Sequence, residues 1–181
     1  FPLDLTKEIA QERDFSIDFV GFEREMEAQK IRAREAWKGS GEVDMGFYEE
    51  IKKELGETLF RGYDFSELTS HIKAILKRDK STNKVMRTKE AREGEEVEII
   101  LAETPFYGEA GGQVGDAGKI LKPSVKLKDI KLGDLKEEEI EGKVEVFDTK
   151  RPVEGLIVHH CKMEKGSVKP SDAVVASVDV S

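Results

Sequence analysis

Near Gly56 the spacing of apolar residues changes, and with it the kind of structure the chain can build. Before that point Phe19, Phe22, Met26, Ala33 and Trp37 recur close to the helical repeat, with Glu and Arg filling the other side. Phe47, Ile51 and Leu55 continue it one turn apart. Beyond Gly56 apolar residues alternate with polar ones. Ile72, Ala74 and Leu76 interleave with His71, Lys73 and Lys77, and Val97, Ile99 and Leu101 with Glu96 and Glu98. Val144 and Val146 stand beside Lys143 and Glu145, and Val174, Ala176, Val178 and Val180 close the series. A helical pattern does not suit a strand, nor an alternating one a helix. The expected class is therefore α+β, an N-terminal helical segment followed by a small antiparallel β-barrel. The boundary falls between Gly56 and Ser66, which assigns residues 1–58 to the helices and 59–181 to the barrel.

Local signals refine this division. Asp4 or Thr6 can cap a first helix with Leu5 and Ile9 on one face, and Ser16 or Asp18 a second. Gly39, Ser40 and Gly41 interrupt the pattern, and Gly56 is placed to end a third helix. Asp79 to Asn83 has the composition of a hairpin connection. The charged run from Lys122 to Glu141 has no clear period and suits either a protruding excursion or a partly helical segment.

With 181 residues the chain can form one domain or two small ones. Its net charge of −8 argues against a surface that is basic throughout, so any nucleic-acid contact is expected to be local. The single cysteine, Cys161, rules out an intrachain disulfide and fits a reducing compartment. No apolar run reaches membrane-spanning length and no signal-peptide pattern is present, so the expectation is a cytoplasmic protein with no membrane and no DNA partner. A first residue of Phe1 and a final strand-like run at Val180 and Ser181 suggest a piece of a longer protein.

The stretch with the most distinctive chemistry is Thr104 to Asp116, TPFYGEAGGQVGD, which holds four of the 16 glycines. Pro105 biases Thr104 toward extended geometry, after which Gly108, Gly111, Gly112 and Gly115 allow a sharp turn or a close backbone approach. Gln113 offers two donors and an acceptor from a site that the neighbouring glycines leave uncovered. A bulge and tight turns at a barrel rim would use the same residues. Amides from Gly111 and Gly112 can equally cradle a ribose or a phosphate. Glu109 is the most suggestive acid here, although a charged residue in a polar turn is ordinarily solvated.

The order of these residues resembles the glycine-rich signature of the alanyl-tRNA synthetase editing region, usually TPFYAESGGQVGD. Gly108 and Ala110 stand where that family has alanine and serine, which keeps the backbone role and removes a hydroxyl. Two further signatures appear in the family's order: FPLDLT over Phe1 to Thr6, and EGLIVHHCKMEKGSVKPSDAVVASVD over Glu154 to Asp179. The resemblance implies an internal fragment, comprising the end of the tRNA-recognition helices and most of the barrel that precedes a zinc-bearing editing core. It implies a role for Asp4 in reading the G·U wobble pair of the acceptor stem, where a carboxylate accepts from the guanine amino group across a shallow minor groove. It also places Gly111, Gly112 and Gln113 in the wall of the pocket that hydrolyses mischarged seryl- or glycyl-tRNA. The implied partners are tRNA(Ala) and the rest of the synthetase chain. The implied cofactors of the full enzyme are ATP, Mg and Zn, with none expected in this fragment.

The residues themselves give no catalytic set. His159, His160 and Cys161 are adjacent, but on a strand only His159 and Cys161 share a face, roughly 7 Å apart, and His71 is distant in sequence. A closed zinc site needs four N or S ligands. The expectation is a plain strand with half-buried histidines, the family's zinc ligands being an HxxxH motif and a later Cys and His downstream of this strand. Basic candidates for a phosphate track are Lys77, Arg78, Lys80 and Lys84, and Lys122, Lys126, Lys128 and Lys131, each group diluted by acids such as Asp79 and Asp129. The expected function is that of a fragment of an alanine-attaching ligase, inactive by itself. A free-standing editing factor and a non-catalytic RNA-binding barrel are the alternatives.

Overall fold

A computed structural model describes Gly21 and residues 42–79, 81–82, 84–109, 114–125 and 135–179. The two helices expected over residues 1–39, with Asp4, fall outside the described residues, as do Gly111, Gly112 and Gln113. Packing divides the chain into Phe1–Glu42 and Val43–Ser181.

Helix α1, Glu42–Leu55, carries Phe47, Tyr48, Ile51 and Leu55 at helical spacing. Tyr48 and Ile51 are buried, and Gly56 follows the last turn with its amide on the Lys52 carbonyl at 2.8 Å. The strands come next: β1 (Leu59–Phe60), β2 (Glu67–Arg78), β3 (Val85–Thr88), β4 (Ala91–Arg92), β5 (Glu96–Leu101), β6 (Glu103–Thr104), β7 (Gly118–Pro123), β8 (Ile140–Val153), β9 (Leu156–Lys165), β10 (Ser167–Val168) and β11 (Ala173–Val178).

Strands β11, β7, β8, β9, β5 and β2 pair in that order, and β11 pairs back onto β2 from Ala173 opposite His71 to Ser177 opposite Glu67. Six antiparallel strands therefore close into a barrel, which leaves no open edge in that circuit. The far half of β2 carries β3 instead, through the hairpin expected at Asp79. There Asp79 Oδ1 accepts from the Ser81 hydroxyl at 2.6 Å and from the amides of Thr82 and Ser81 at 2.7 and 2.9 Å, and these bonds, the Ser81 hydroxyl first, hold its carboxyl far below the usual range. The Lys122 to Glu141 run joins the paired strands β7 and β8, and its described end contains a 3-10 turn over Glu137–Glu139.

Two apolar clusters hold the second unit together. The barrel interior is filled by Ile72, Ile75, Val97, Ile99, Leu101, Phe106, Ile120, Val144, Met163 and their neighbours. The second cluster lies between α1 and the sheet, where Tyr48 and Ile51 meet Ala74, Leu76, Ile100, Leu156 and Val158. Helix α1 thus shares a core with the strands, and Arg87 of β3 fastens it from outside with two 2.8 Å contacts to Glu54.

One strand departs from simple alternation. Ile72, Ala74 and Leu76 were expected on one face, yet Ile72 and Ile75 point into the barrel while Ala74 and Leu76 lie under the helix. The register between β2 and β5 shifts between Ile72 and Ala74, and the extra residue of a bulge exchanges the two faces. Strand β5 has apolar residues on both faces because Val97, Ile99 and Leu101 fill the barrel while Ile100 joins the cluster under α1. Glu98, polar in the alternation, is only 4% exposed, because α1 covers it and Tyr48 donates to its carboxylate at 2.6 Å.

Candidate RNA-facing loop

The glycine-rich stretch leaves the barrel interior at Thr104 and returns at β7, and both of its described limbs are clamped. On the leading limb, Thr104 and Phe106 are fully buried and Phe106 belongs to the barrel core. Thr104 Oγ1 lies 2.7 Å from His159 Nε2, and His159 Nδ1 lies 2.8 Å from the Ile99 carbonyl. A carbonyl only accepts, so Nδ1 carries the proton and donates. Burial lowers the His159 pKa to about 4, against the opposing effect of that carbonyl bond, so the ring is neutral near pH 7 and Nε2 accepts from the Thr104 hydroxyl. The Phe106 amide in turn donates to Thr104 Oγ1 at 3.2 Å. One histidine thereby fixes the backbone where the stretch begins.

This placement corrects the expectation of half-buried histidines. His159 is completely buried and both of its nitrogens are engaged, whereas His160 on the outer face is partly exposed. Cys161 does share the inward face with His159, but burial pushes its thiol well above the ordinary range, so it is held as the inert thiol. Among the described residues no three His, Cys, Asp or Glu side chains converge as metal ligands.

The trailing limb is held by β8. Asp148 Oδ1 accepts from the Gly115 amide at 2.7 Å and the Thr149 amide at 2.9 Å, while Oδ2 meets Lys150 Nζ at 3.1 Å. Thr149 donates to the Asp116 carbonyl at 2.8 Å, and Asp116 Oδ2 accepts from the Tyr107 amide at 2.8 Å, tying the two limbs together. Glu109 exchanges main-chain bonds with Thr149 and Arg151. Gly115 is required by proximity, since a Cβ there would overlap the Thr149 carbonyl oxygen. Above these clamps Tyr107 and Val114 face solvent, at 43% and 76% exposure.

Asp148, Thr149 and His159 are the positioning residues that reading the sequence for catalytic sets missed. The alternation alone does not find the first two: Val144 and Val146 alternate correctly, but Phe147 is exposed and Thr149 buried, because β8 bulges between Val146 and Asp148. We expect Asp148→Ala to leave the Gly115 amide without its acceptor and to cost about 1–3 kcal/mol, read by urea unfolding. A loss within about 0.5 kcal/mol, as for an ordinary surface change, would remove the clamp role.

The basic candidates are largely neutralised in place. Lys77 contacts Glu95 at 2.5 Å, Arg78 contacts Glu98 at 3.4 Å, and Lys122 contacts Asp172 and Glu141 at 3.1 and 3.5 Å. Lys84 is exposed, and Lys80, Lys126, Lys128 and Lys131 lie outside the described residues. No helix among the described residues is long and apolar enough to cross a membrane.

The described residues form a closed barrel with a helix packed on it, and the two limbs that flank the glycine-rich stretch are clamped to that barrel. The chain belongs to the class II (A) tRNA synthetases, whose family model matches residues 1–181. Among curated proteins it is 44% identical over 180 residues to an alanine–tRNA ligase of Anaeromyxobacter sp. (strain Fw109-5), and that alignment covers 99% of this chain and 17% of the relative. It is 39% identical to the alanine–tRNA ligase of Pelotomaculum thermopropionicum and 37% identical to that of Rickettsia akari, in each case over 99% of this chain and 18% of the relative. The chain thus spans less than a fifth of the length of these relatives.

Proposed function

We propose that this chain is a segment of an alanine–tRNA ligase, which attaches alanine to tRNA(Ala) with ATP and hydrolyses mischarged seryl- or glycyl-tRNA(Ala). Residues 1–58 would form the helical end of its tRNA-recognition domain, where Asp4 accepts from the guanine amino group of the wobble pair. Residues 59–181 would form the barrel beside the editing pocket, with Gly111, Gly112 and Gln113 in its wall. The enzyme is soluble and cytoplasmic on this reading, with ATP, Mg and Zn bound by other parts of the chain, and this segment alone is inactive. The set of described donors contains no zinc site, and His159 does not fit one, since both ring nitrogens already have partners.

The observation that carries this reading is the arrangement of the glycine-rich stretch. Its limbs are fixed from beneath by His159 and Asp148, and its flanking residues Tyr107 and Val114 are open to solvent. Rigid limbs lower the entropy lost when main-chain amides meet a ligand. The test is Gly112→Val in the complete enzyme. Hydrolysis of seryl-tRNA(Ala) should fall by about tenfold, the effect of about 1.4 kcal/mol, while alanine attachment is unchanged. Unchanged hydrolysis, or an equal fall in both reactions, would defeat the reading.

A further inference from the structure

Helix α1 and the barrel beneath it are held in place by different means. Each strand of the closed circuit shares main-chain bonds with a neighbour on either side, so none can leave without unpairing buried backbone groups. The main-chain bonds of α1 are its own. Among the described residues no backbone bond runs from Glu42–Leu55 to a strand. The helix is held by the apolar face of Phe47, Tyr48, Ile51 and Leu55 and by side-chain ties. Tyr48 donates to Glu98, Arg87 to Glu54, and Lys73 Nζ to the Leu55 carbonyl at 2.7 Å.

Two features weaken that hold. Glu98 lies beneath the helix at 4% exposure, so seating α1 takes a carboxylate out of water. Against that cost stand the 2.6 Å bond from Tyr48 and a 3.4 Å contact from Arg78. Gly46 is the second feature. It sits inside the helix on the exposed side, and a Cβ there would meet nothing within 4 Å, so no close approach requires it and it only lowers helix propensity. A helix of 14 residues is marginal in water without a surface to pack on, so α1 would leave by melting. We propose that α1 is a releasable cover, which melts off as a unit while the six strands stay closed. Its release opens the apolar strip of Ala74, Leu76, Ile100 and Leu156, with Glu98 beside Leu76 on the same face.

The test is amide hydrogen exchange of the 181-residue chain, followed at rising urea below the unfolding transition. The amides of Tyr48 to Leu55 should exchange at least about tenfold faster than those of β8 and β9. Their rates should also depend less steeply on urea, because opening one helix exposes less surface than opening the barrel. Two variants separate release of the helix from unfolding of the whole unit. Ile120→Val thins the barrel core outside the cluster that α1 joins. It should speed exchange in β8 and β9 by roughly fivefold and leave the α1 amides unchanged, since the barrel is intact in both the covered and the uncovered form. Gly46→Ala should slow the α1 amides by roughly fivefold, the difference between glycine and alanine in a helix interior. Equal rates with equal urea slopes in α1 and the strands, or an Ile120→Val change that speeds α1 as much as β8 and β9, would mean that helix and barrel open only together and overturn the proposal. Exchange in α1 that is indifferent to Gly46→Ala would overturn it as well.

Discussion

Phe106→Ala is expected to destabilise the second unit by about 3–5 kcal/mol, lowering its melting temperature by on the order of 10 °C. Phe106 is completely buried and is among the largest side chains of the barrel interior. Its removal leaves a cavity that closed strands cannot collapse to fill, because each strand is held by neighbours on both sides. It also removes the edge-to-face contact with His159, at 5.2 Å and 79° between planes, which is worth about 0.5–1.5 kcal/mol. The second consequence is local. Phe106 is the plug that seats the leading limb of the glycine-rich stretch, so its loss should raise hydrogen exchange at Tyr107 and Gly115 more than in β8 and β9. Phe106→Leu should recover more than half of the loss. A cost below about 1 kcal/mol, the typical value for an arbitrary substitution, would show that the residue is not the anchor of the stretch.

The phenylalanine was visible in the sequence as part of a motif, but its burial was not. Composition and period were enough to read a helix ending at Gly56, alternating strands after it and a hairpin at Asp79, because each of these depends on residues adjacent in sequence. The bulge between Ile72 and Ala74 leaves no such mark, since it arises from how β2 fits β5 rather than from its own residues. Glu98 reads as solvent-facing in its strand, and its burial is made tolerable by Tyr48, fifty residues earlier, together with Arg78, twenty residues earlier. Asp148 likewise meets the Gly115 amide across 33 positions. The glycine-rich stretch was legible as a loop that brings backbone close to something. That one thing it approaches is the Thr149 carbonyl of its own barrel emerges only when the strands are closed.

Lowering the pH from about 6.5 to about 4 should remove on the order of 3 kcal/mol of stability through His159 alone. The ring binds its proton near pH 6.5 in the unfolded chain and only near pH 4 when folded, burial being the main cause. Between those values the unfolded state holds a proton that the folded state refuses, so stability rises with pH. The contribution is complete above the unfolded value, falls by about 1.4 kcal/mol per unit as pH drops, and levels off once the folded ring is protonated as well. The geometry gives the same sign. A proton on Nε2 would leave two donors, Nε2–H and the Thr104 hydroxyl, facing each other inside the barrel unless the hydroxyl turns away. The lowered carboxylates Asp79, Glu54, Glu90 and Glu95 begin to lose their contribution only as pH falls to the ordinary carboxylate range, so the slope above about pH 5 belongs to the ring. His159→Gln keeps a polar side chain without titrating, and should flatten the slope between about pH 6.5 and 4.5. Urea midpoints at half-unit steps would measure it. A wild-type stability that stays level across that window, or a slope that survives the substitution, would mean that the buried ring does not hold the loop in the neutral form described.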